Sequence, residues 1–455
     1  MQRKLLAVII IVILAISSVA AFELLSKPAP SADARNIKIG LVAPLSTSIG
    51  QDMQKAAQMA VNEINDAGGI SVSGWNTKVK ITLVTVDTKT DGVPADAVTA
   101  VTQAVQSDQV DMLIGGYGSA ATLADEMIAV QNKVPFIITG ASNQLVTRRG
   151  PQGNYGGLGP AGTYSTDDAE GMSYMFHYCT TTYDYAKTVV DFLNQTMKPA
   201  DRNLNLAIYI RDDSFGNAVE QATLYWIKNE SLPINVVADR KHATTSSTFQ
   251  TDLTVIKEAK PDAIFVADNP DVTPQVIKQG LNDVGLKSVY IAVENNQDPV
   301  FYSLLGQAGD GQLLESKMDP FQIPSYLPAV QTYSQKFNQT YNVAPGMMGV
   351  DTYDAFYIAK NAVERAGTLD KAAVREAIEK TNMDQRLILT STGKIQFSTG
   401  VNYHEIGPLT FMEQLKWNNS TGKLESQIIW PASMPGISNF KQANFQLPSG
   451  YQPGS

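Results

Sequence analysis

The sequence predicts an α/β protein built as two Rossmann-like lobes with parallel sheets. Strand-type segments alternate with helices of ten or more residues, the alternation runs twice with an irregular stretch between, and 455 residues exceed what one ordinary core organises. Strands that alternate with long helices are joined by crossover connections, which place parallel strands side by side and cover both faces of the sheet.

The first run opens at Ile37-Lys38-Ile39-Gly40-Leu41-Val42, a strand. A helix follows over 53–66, where Ala57, Ala60, Val61 and Ile64 recur at the spacing of one buried face and Gly68-Gly69 supplies a left-handed cap. Residues 79–86 read as an alternating edge strand, with Lys80, Thr82 and Thr85 turned away from the core. A helix over 94–106, a strand at 112–114, a helix from Thr122 and a strand at 136–138 complete the run. The pattern stops over 148–173, rich in Gly, Pro, Ser and Asp. It resumes with strands at 204–210, 236–239, 263–266 and 289–293, separated by helices over 219–228, 249–259 and 274–284. Beyond Gly311, helices over 325–338, 348–366 and 371–379 precede short strands at 394–397, 409–415 and 427–430. This last part lacks the rhythm of a third domain and reads as chain returned to complete both lobes.

Ahead of the lobes, Arg3 and Lys4 precede an apolar run over 5–22, which reads as an export signal. At about 18 residues it is long enough to span a bilayer, so it is either a cleaved signal peptide or a retained anchor. Ser18-Val19-Ala20 offers a small-residue cleavage pattern, no Cys follows for lipid attachment, and 26–32 reads as a linker. Asn-x-Ser/Thr sequons at Asn194, Asn229, Asn338, Asn418 and Asn419 are about as many as chance supplies and carry no weight for location.

Composition excludes several functions. A net charge of −9 leaves no basic stripe to displace counterions from a nucleic-acid backbone. Cys179 is the only cysteine, so no internal disulfide and no cysteine-based metal site can form, and it is expected to be buried and inert. His177, His242 and His404 are far apart in sequence with no carboxylate at ligand spacing, and each is expected at the surface or beside a hinge. The loop after the first strand has only Gly50, short of a dinucleotide fingerprint, and no Walker motif, Gly-x-Ser-x-Gly elbow or His-Glu-x-x-His helix occurs. Neither enzyme chemistry nor a cofactor is therefore expected.

The strand ends are instead rich in glycine and hydroxyls: Ser46-Thr47-Ser48, Gly115-Gly116-Tyr117-Gly118-Ser119 and Thr139-Gly140-Ala141-Ser142-Asn143. Such residues also make ordinary turns and caps, but three of them on consecutive strand ends form a rim where backbone N–H groups can approach a carboxylate.

Several ordered motifs carry a family resemblance: Ile39-Gly40-Leu41-Val42-Ala43-Pro44-Leu45-Ser46, Asn62-Glu63-Ile64-Asn65-Asp66-Ala67-Gly68-Gly69-Ile70, Ile114-Gly115-Gly116 with Ser119, Asp213-Ser214-Phe215-Gly216, Tyr353-Asp354-Ala355 and Gly393-Lys394-Ile395-Gln396-Phe397. Together they resemble the type I periplasmic binding proteins of branched-chain amino-acid ABC transporters, over essentially all of the chain after Asn36. The resemblance implies two lobes joined by three crossovers, near Tyr178, Ser316 and Leu387. The chain then divides into 1–35 (export segment and linker), 36–178 and 317–387 (first lobe), and 179–316 and 388–455 (second lobe and tail). It also implies a monomer that delivers a small solute, an amino acid, to transporter permease subunits outside the cytoplasm, tethered to the membrane if its leader is kept.

In such a protein the ligand carboxylate is held at positions matching Ser119, Ala141 and Ser142, and the ammonium by an acid matching Glu294 in Val293-Glu294-Asn295. Two positions depart from the family. Phe215 replaces a usual aromatic hydroxyl, leaving stacking only, and Asp268-Asn269-Pro270 brings a polar residue, Asn269, where an aliphatic side chain would sit. These leave open an amide, urea or aromatic acid as solute, and a sensor domain of the same fold as an alternative role.

Overall fold

In the computed structural model, residues 35–149, 169–399 and 402–452 are described. The export segment over 5–22, its cleavage pattern, the linker over 26–32 and most of the irregular stretch after Arg148 lie outside them.

The first sheet is built from β1 (Ile37–Ala43), β2 (Ile81–Asp87), β3 (Met112–Gly115), β4 (Phe136–Ile138) and β5 (Met175–His177), all parallel, in the order β2–β1–β3–β4–β5. Along β1 every residue but Lys38 is buried, as a strand covered on both faces requires. Helices α1 (Ser48–Asp66) and α10 (Met347–Ala366) pack together over one face, and α2 (Pro94–Thr102) with α3 (Ser119–Asn132) over the other. β2 stands at the edge, as its alternation predicts, but the expected strand breaks at Lys80: Thr77–Val79 pairs with Ile70–Val72 in a separate small hairpin.

The chain leaves this sheet after β5 and enters α4 (Thr182–Phe192), which packs in the second lobe against α5 (Ser214–Asn229). The second sheet contains β6 (Leu204–Arg211), β7 (Ile234–His242), β8 (Ala263–Ala267), β9 (Val289–Ala292) and β10 (Leu313–Ser316), parallel to one another. Helices α6 (Gln250–Glu258), α7 (Thr273–Lys278) and α8 (Pro299–Leu305) cover its other face. After Ser316 the chain returns to the first lobe as α9 (Pro328–Tyr341), α10 and α11 (Lys371–Glu379), and then re-enters the second sheet as β11 (Phe411–Asn418) and β12 (Lys423–Trp430).

Three expectations are corrected. The second sheet is not wholly parallel, because β11 and β12 form a hairpin that joins β10 antiparallel. The third crossing lies between Ile406 and Phe411 rather than at Leu387: Leu387 N donates to Asp354 of α10 and Ile406 N to His177 O at the end of β5, while Phe411 pairs with Ser316 in the second sheet. The histidines are all buried: His177 and His404 meet at the hinge, one of the expected settings, while His242 departs from the expectation and is buried beside Asp268. His177 N–H donates to His404 O at 2.8 Å, and the His404 ring stacks between Phe176 and Tyr403. Burial pushes His177 down to about 3 and His404 to about 4, so both are neutral near pH 7. Cys179 is buried, and burial pushes its thiol well up, as an inert cysteine requires.

Candidate functional site

The carboxyl ends of the two sheets face one another across a cleft. Parallel strands of one direction deliver their loops to the same edge, so Tyr117, Gly118, Ser119, Gly140 and Ser142 come from the first lobe and Arg211, Asp213, Phe215, Asn269 and Asn295 from the second. With Asp91, from the loop after β2, these residues line a small cavity of about 20 Å³.

Local conformation places them there. Gly116 has φ +77°, a left-handed turn that leads the chain out of β3 towards α3, and a Cβ on Gly118 would collide with the Asp91 carbonyl. Only glycine lets the Asp91 loop lie against the start of α3. On the other side Asp213 caps α5, accepting from Phe215 N at 3.0 Å and Gly216 N at 2.9 Å, which turns the Phe215 ring to the cleft.

Four of the six residues singled out in the sequence line the cavity: Ser119, Ser142, Phe215 and Asn269. Ala141 does not. Its N–H donates to Gly116 O at 3.0 Å and its carbonyl lies 2.8 Å from His177 Nε2, so both backbone groups are engaged within the protein. Glu294 does not line it either. It is fully buried beside the hinge, where Tyr185 OH donates to its Oε1 at 3.0 Å and Lys317 Nζ lies 3.6 Å away, and its neighbour Asn295 faces the cavity instead.

The cavity residues bridge the lobes. Asn269 Nδ2 donates to Asp91 Oδ2 at 2.8 Å, and Tyr117 OH donates to Asn269 Oδ1 at 2.8 Å while accepting from Asn295 Nδ2 at 3.1 Å. Arg211 Nη1 donates to Asp91 Oδ2 at 3.0 Å, and Asn143 Nδ2 donates to Ser214 Oγ at 3.1 Å. The cleft is therefore closed, with polar contacts crossing it.

Arg211 is the cation of this wall. Its Nε lies 2.7 Å from Asp213 Oδ2 and its Nη1 3.7 Å from Asp268 Oδ1. Burial works against its charge, but Asp91, Asp213 and Asp268 outweigh burial and hold its pKa up. His242 stands behind, 3.0 Å from Asp268 Oδ2; burial opposes its proton, but Asp268 prevails and raises its pKa. Three carboxylates thus surround one guanidinium and one imidazole, so this wall suits a positively charged or hydrogen-bond-donating group better than an anion.

Asp91 and Arg211 had no motif in the sequence. The one available signal for Arg211 was a charged residue closing an otherwise apolar strand. Tyr117, Asp213 and Asn295 sat inside segments already singled out, beside the residues that were named.

A family model described as "Periplasmic binding protein" matches residues 36–419. Among curated proteins, the chain is 22% identical over 371 residues to "Leu/Ile/Val-binding protein homolog 3" of Brucella melitensis, covering 81% of this chain and 89% of that one. Among solved structures it is similar to the branched-chain amino acid transporter substrate binding protein LivJ from Streptococcus pneumoniae in complex with isoleucine, with a TM-score of 0.68 and 20% identity over 87% of this chain and 100% of that one. It is also similar to a solute binding protein of an ABC transporter from R. palustris in complex with benzoate, with a TM-score of 0.69 and 18% identity over 90% of this chain and 99% of that one.

Proposed function

Because the chain belongs to the type I periplasmic binding proteins of the branched-chain amino-acid ABC-transporter family, we propose that it captures an amino acid in the cleft between its lobes. Its family-level function is that of an extracytoplasmic solute-binding protein, a non-catalytic carrier that hands a small molecule to an ABC transporter. The amino acid is the finer reading. The observation that carries it is the opposed chemistry of the cavity walls, with the Ser119 hydroxyl on one lobe and the carboxylates of Asp213 and Asp268 around Arg211 on the other. A zwitterion leaving water needs both ends partnered, and these walls offer a partner to each.

The amino acid's carboxylate meets Ser119 and its ammonium lies between Ser142 and the Asp213 side of the cavity, while Phe215 lies against the side chain. An aromatic acid is the second reading, favoured by the Tyr117 and Phe215 rings among the lining residues. The protein works as a monomer, and residues 5–22 export it. Mass spectrometry of the mature N-terminus tells a cleaved leader from a retained anchor.

A thermal-shift screen over the common amino acids, simple amides, urea and benzoates, followed by calorimetry, tests the ligand class. A ligand that binds only the folded state raises the midpoint with concentration by mass action. Stabilisation by at least one amino acid and none by benzoate supports the first reading. The reverse supports the second, and no shift with any of them removes both.

A further inference from the structure

Glu294 leaves the cleft wall to join a buried chain of groups that ends on a cavity residue. Lys317, at the second crossing between the lobes, is fully buried, with its Nζ 2.8 Å from Asp351 Oδ2 and 3.6 Å from Glu294 Oε1. Burial opposes the charge of Lys317, but Asp351 and Glu294 outweigh it and raise its pKa, so the ammonium persists beside Glu294. Tyr185 OH donates to Glu294 Oε1 at 3.0 Å and lies 2.6 Å from Ser142 Oγ. All these side chains are buried.

Proton counting fixes the direction of this chain. A phenol has one proton to give. Tyr185 spends it on Glu294, so towards Ser142 its oxygen can only accept; burial, then Glu294, push its ionisation well above the usual range, which keeps that proton in place. Ser142 also has one proton, with two acceptors inside the protein: Tyr185 OH, or Gly140 O at 3.2 Å. Tyr185, at 2.6 Å, is the nearer acceptor and takes the proton, so what Ser142 turns to the cavity is a lone pair. Ser119 has the opposite polarity. Its Oγ accepts from Asn143 N at 3.3 Å, and its own proton has no acceptor among the described residues.

We infer that Tyr185 and Glu294 are positioning residues that set Ser142 as a hydrogen-bond acceptor towards the cleft, opposite in sense to the donor Ser119. The protein thereby selects solutes that carry an N–H or O–H beside their carboxylate over isosteres that lack it. This rests on the reading of the cavity as the solute site. An isostere without the donor leaves the Ser142 lone pair buried and unpaired, a loss of about tenfold or more in affinity.

Calorimetry on the full chain with two matched pairs of probes tests the selectivity: L-leucine against 4-methylpentanoate, and 2-aminobenzoate against benzoate. The donor-bearing member of any pair that binds is expected to bind about tenfold tighter or more. Tyr185→Phe, which removes an acceptor of the Ser142 proton, narrows the preference. Glu294→Gln introduces an amide that can donate to the phenol, reversing the chain, and shifts the preference towards the isostere. A purely structural role for either residue would weaken both members alike, and that result, or equal binding by the unaltered protein, overturns the inference. Neutron diffraction from crystals of the perdeuterated protein decides the relay even if no probe binds or a variant fails to fold. A deuteron on Tyr185 facing Glu294, with the Ser142 deuteron facing Tyr185, upholds it; a Ser142 deuteron pointing to Gly140 or into the cleft overturns it. Silence of all four probes would count against the proposed solute classes while leaving that map to judge the relay.

Discussion

Ser119 and Ser142 are one-hydroxyl residues in neighbouring loops, yet their neighbours give them opposite tasks. Ser119, at the start of α3, keeps its proton for the cleft, so Ser119→Ala is expected to weaken a carboxylate ligand about tenfold or more in calorimetry while leaving the melting temperature of the free protein nearly unchanged. A loss smaller than twofold would show that the backbone alone holds the carboxylate. His177 gives a second prediction, on stability. Its folded pKa is about 3, and an unfolded histidine titrates near 6.5, so between those values the unfolded chain takes up a proton that the folded chain refuses. Stability is therefore lost as pH falls from about 6.5 towards 3. His177→Gln, which keeps a donor for Ala141 O, is expected to show a smaller drop in melting temperature between pH 6.5 and 4.5. Parallel curves for the two proteins would contradict that. Glu294 marks where residue-level reading of the sequence stopped. Whether a strand-end carboxylate faces a cleft or an interior depends on what lies behind it, and here that is Tyr185, 109 residues away along the chain.

At the scale of elements, the cleft is a product of caps and close approaches. Asp213 holds the first turn of α5 with two accepted hydrogen bonds and also lies against Arg211, so it secures a helix and a wall of the cavity together. Asp213→Ala is expected to cost about 1 kcal/mol of stability in denaturant unfolding, the usual loss for a cap, and to weaken ligand binding as the Phe215 turn loosens. Unchanged affinity would separate the cap from the site. Long periodic elements were legible in the sequence: β4 and α11 have their expected bounds, and α10 begins one residue early. The loops before β11 were not. Leu387, Ile388 and Leu389 follow no strand or helix period, and only the folded chain reveals that they fill the first lobe's core and delay the last crossing. The antiparallel β11–β12 hairpin escaped for a related reason, since a strand's local pattern does not state the direction of its partner.

At the scale of the molecule, the lobes meet in two places with different chemistry. At the hinge, Lys317, Asp351, Glu294, Tyr185 and Ser142 form a buried set that crosses between lobes; across the mouth, Asp91, Arg211, Asn269, Tyr117 and Asn295 form a mostly buried polar one. A solute that touches both walls favours the closed arrangement by its differential affinity alone. The most direct measurement is the distance between spin labels on Thr90→Cys and Ala243→Cys, exposed positions beside Asp91 and His242, with buried Cys179 left unlabelled. Pulsed electron–electron double resonance with and without the most stabilising solute is predicted to show the distribution narrowing and moving to the short distance of the closed cleft. The same broad distribution in both samples, with binding verified on the labelled protein, would contradict the account.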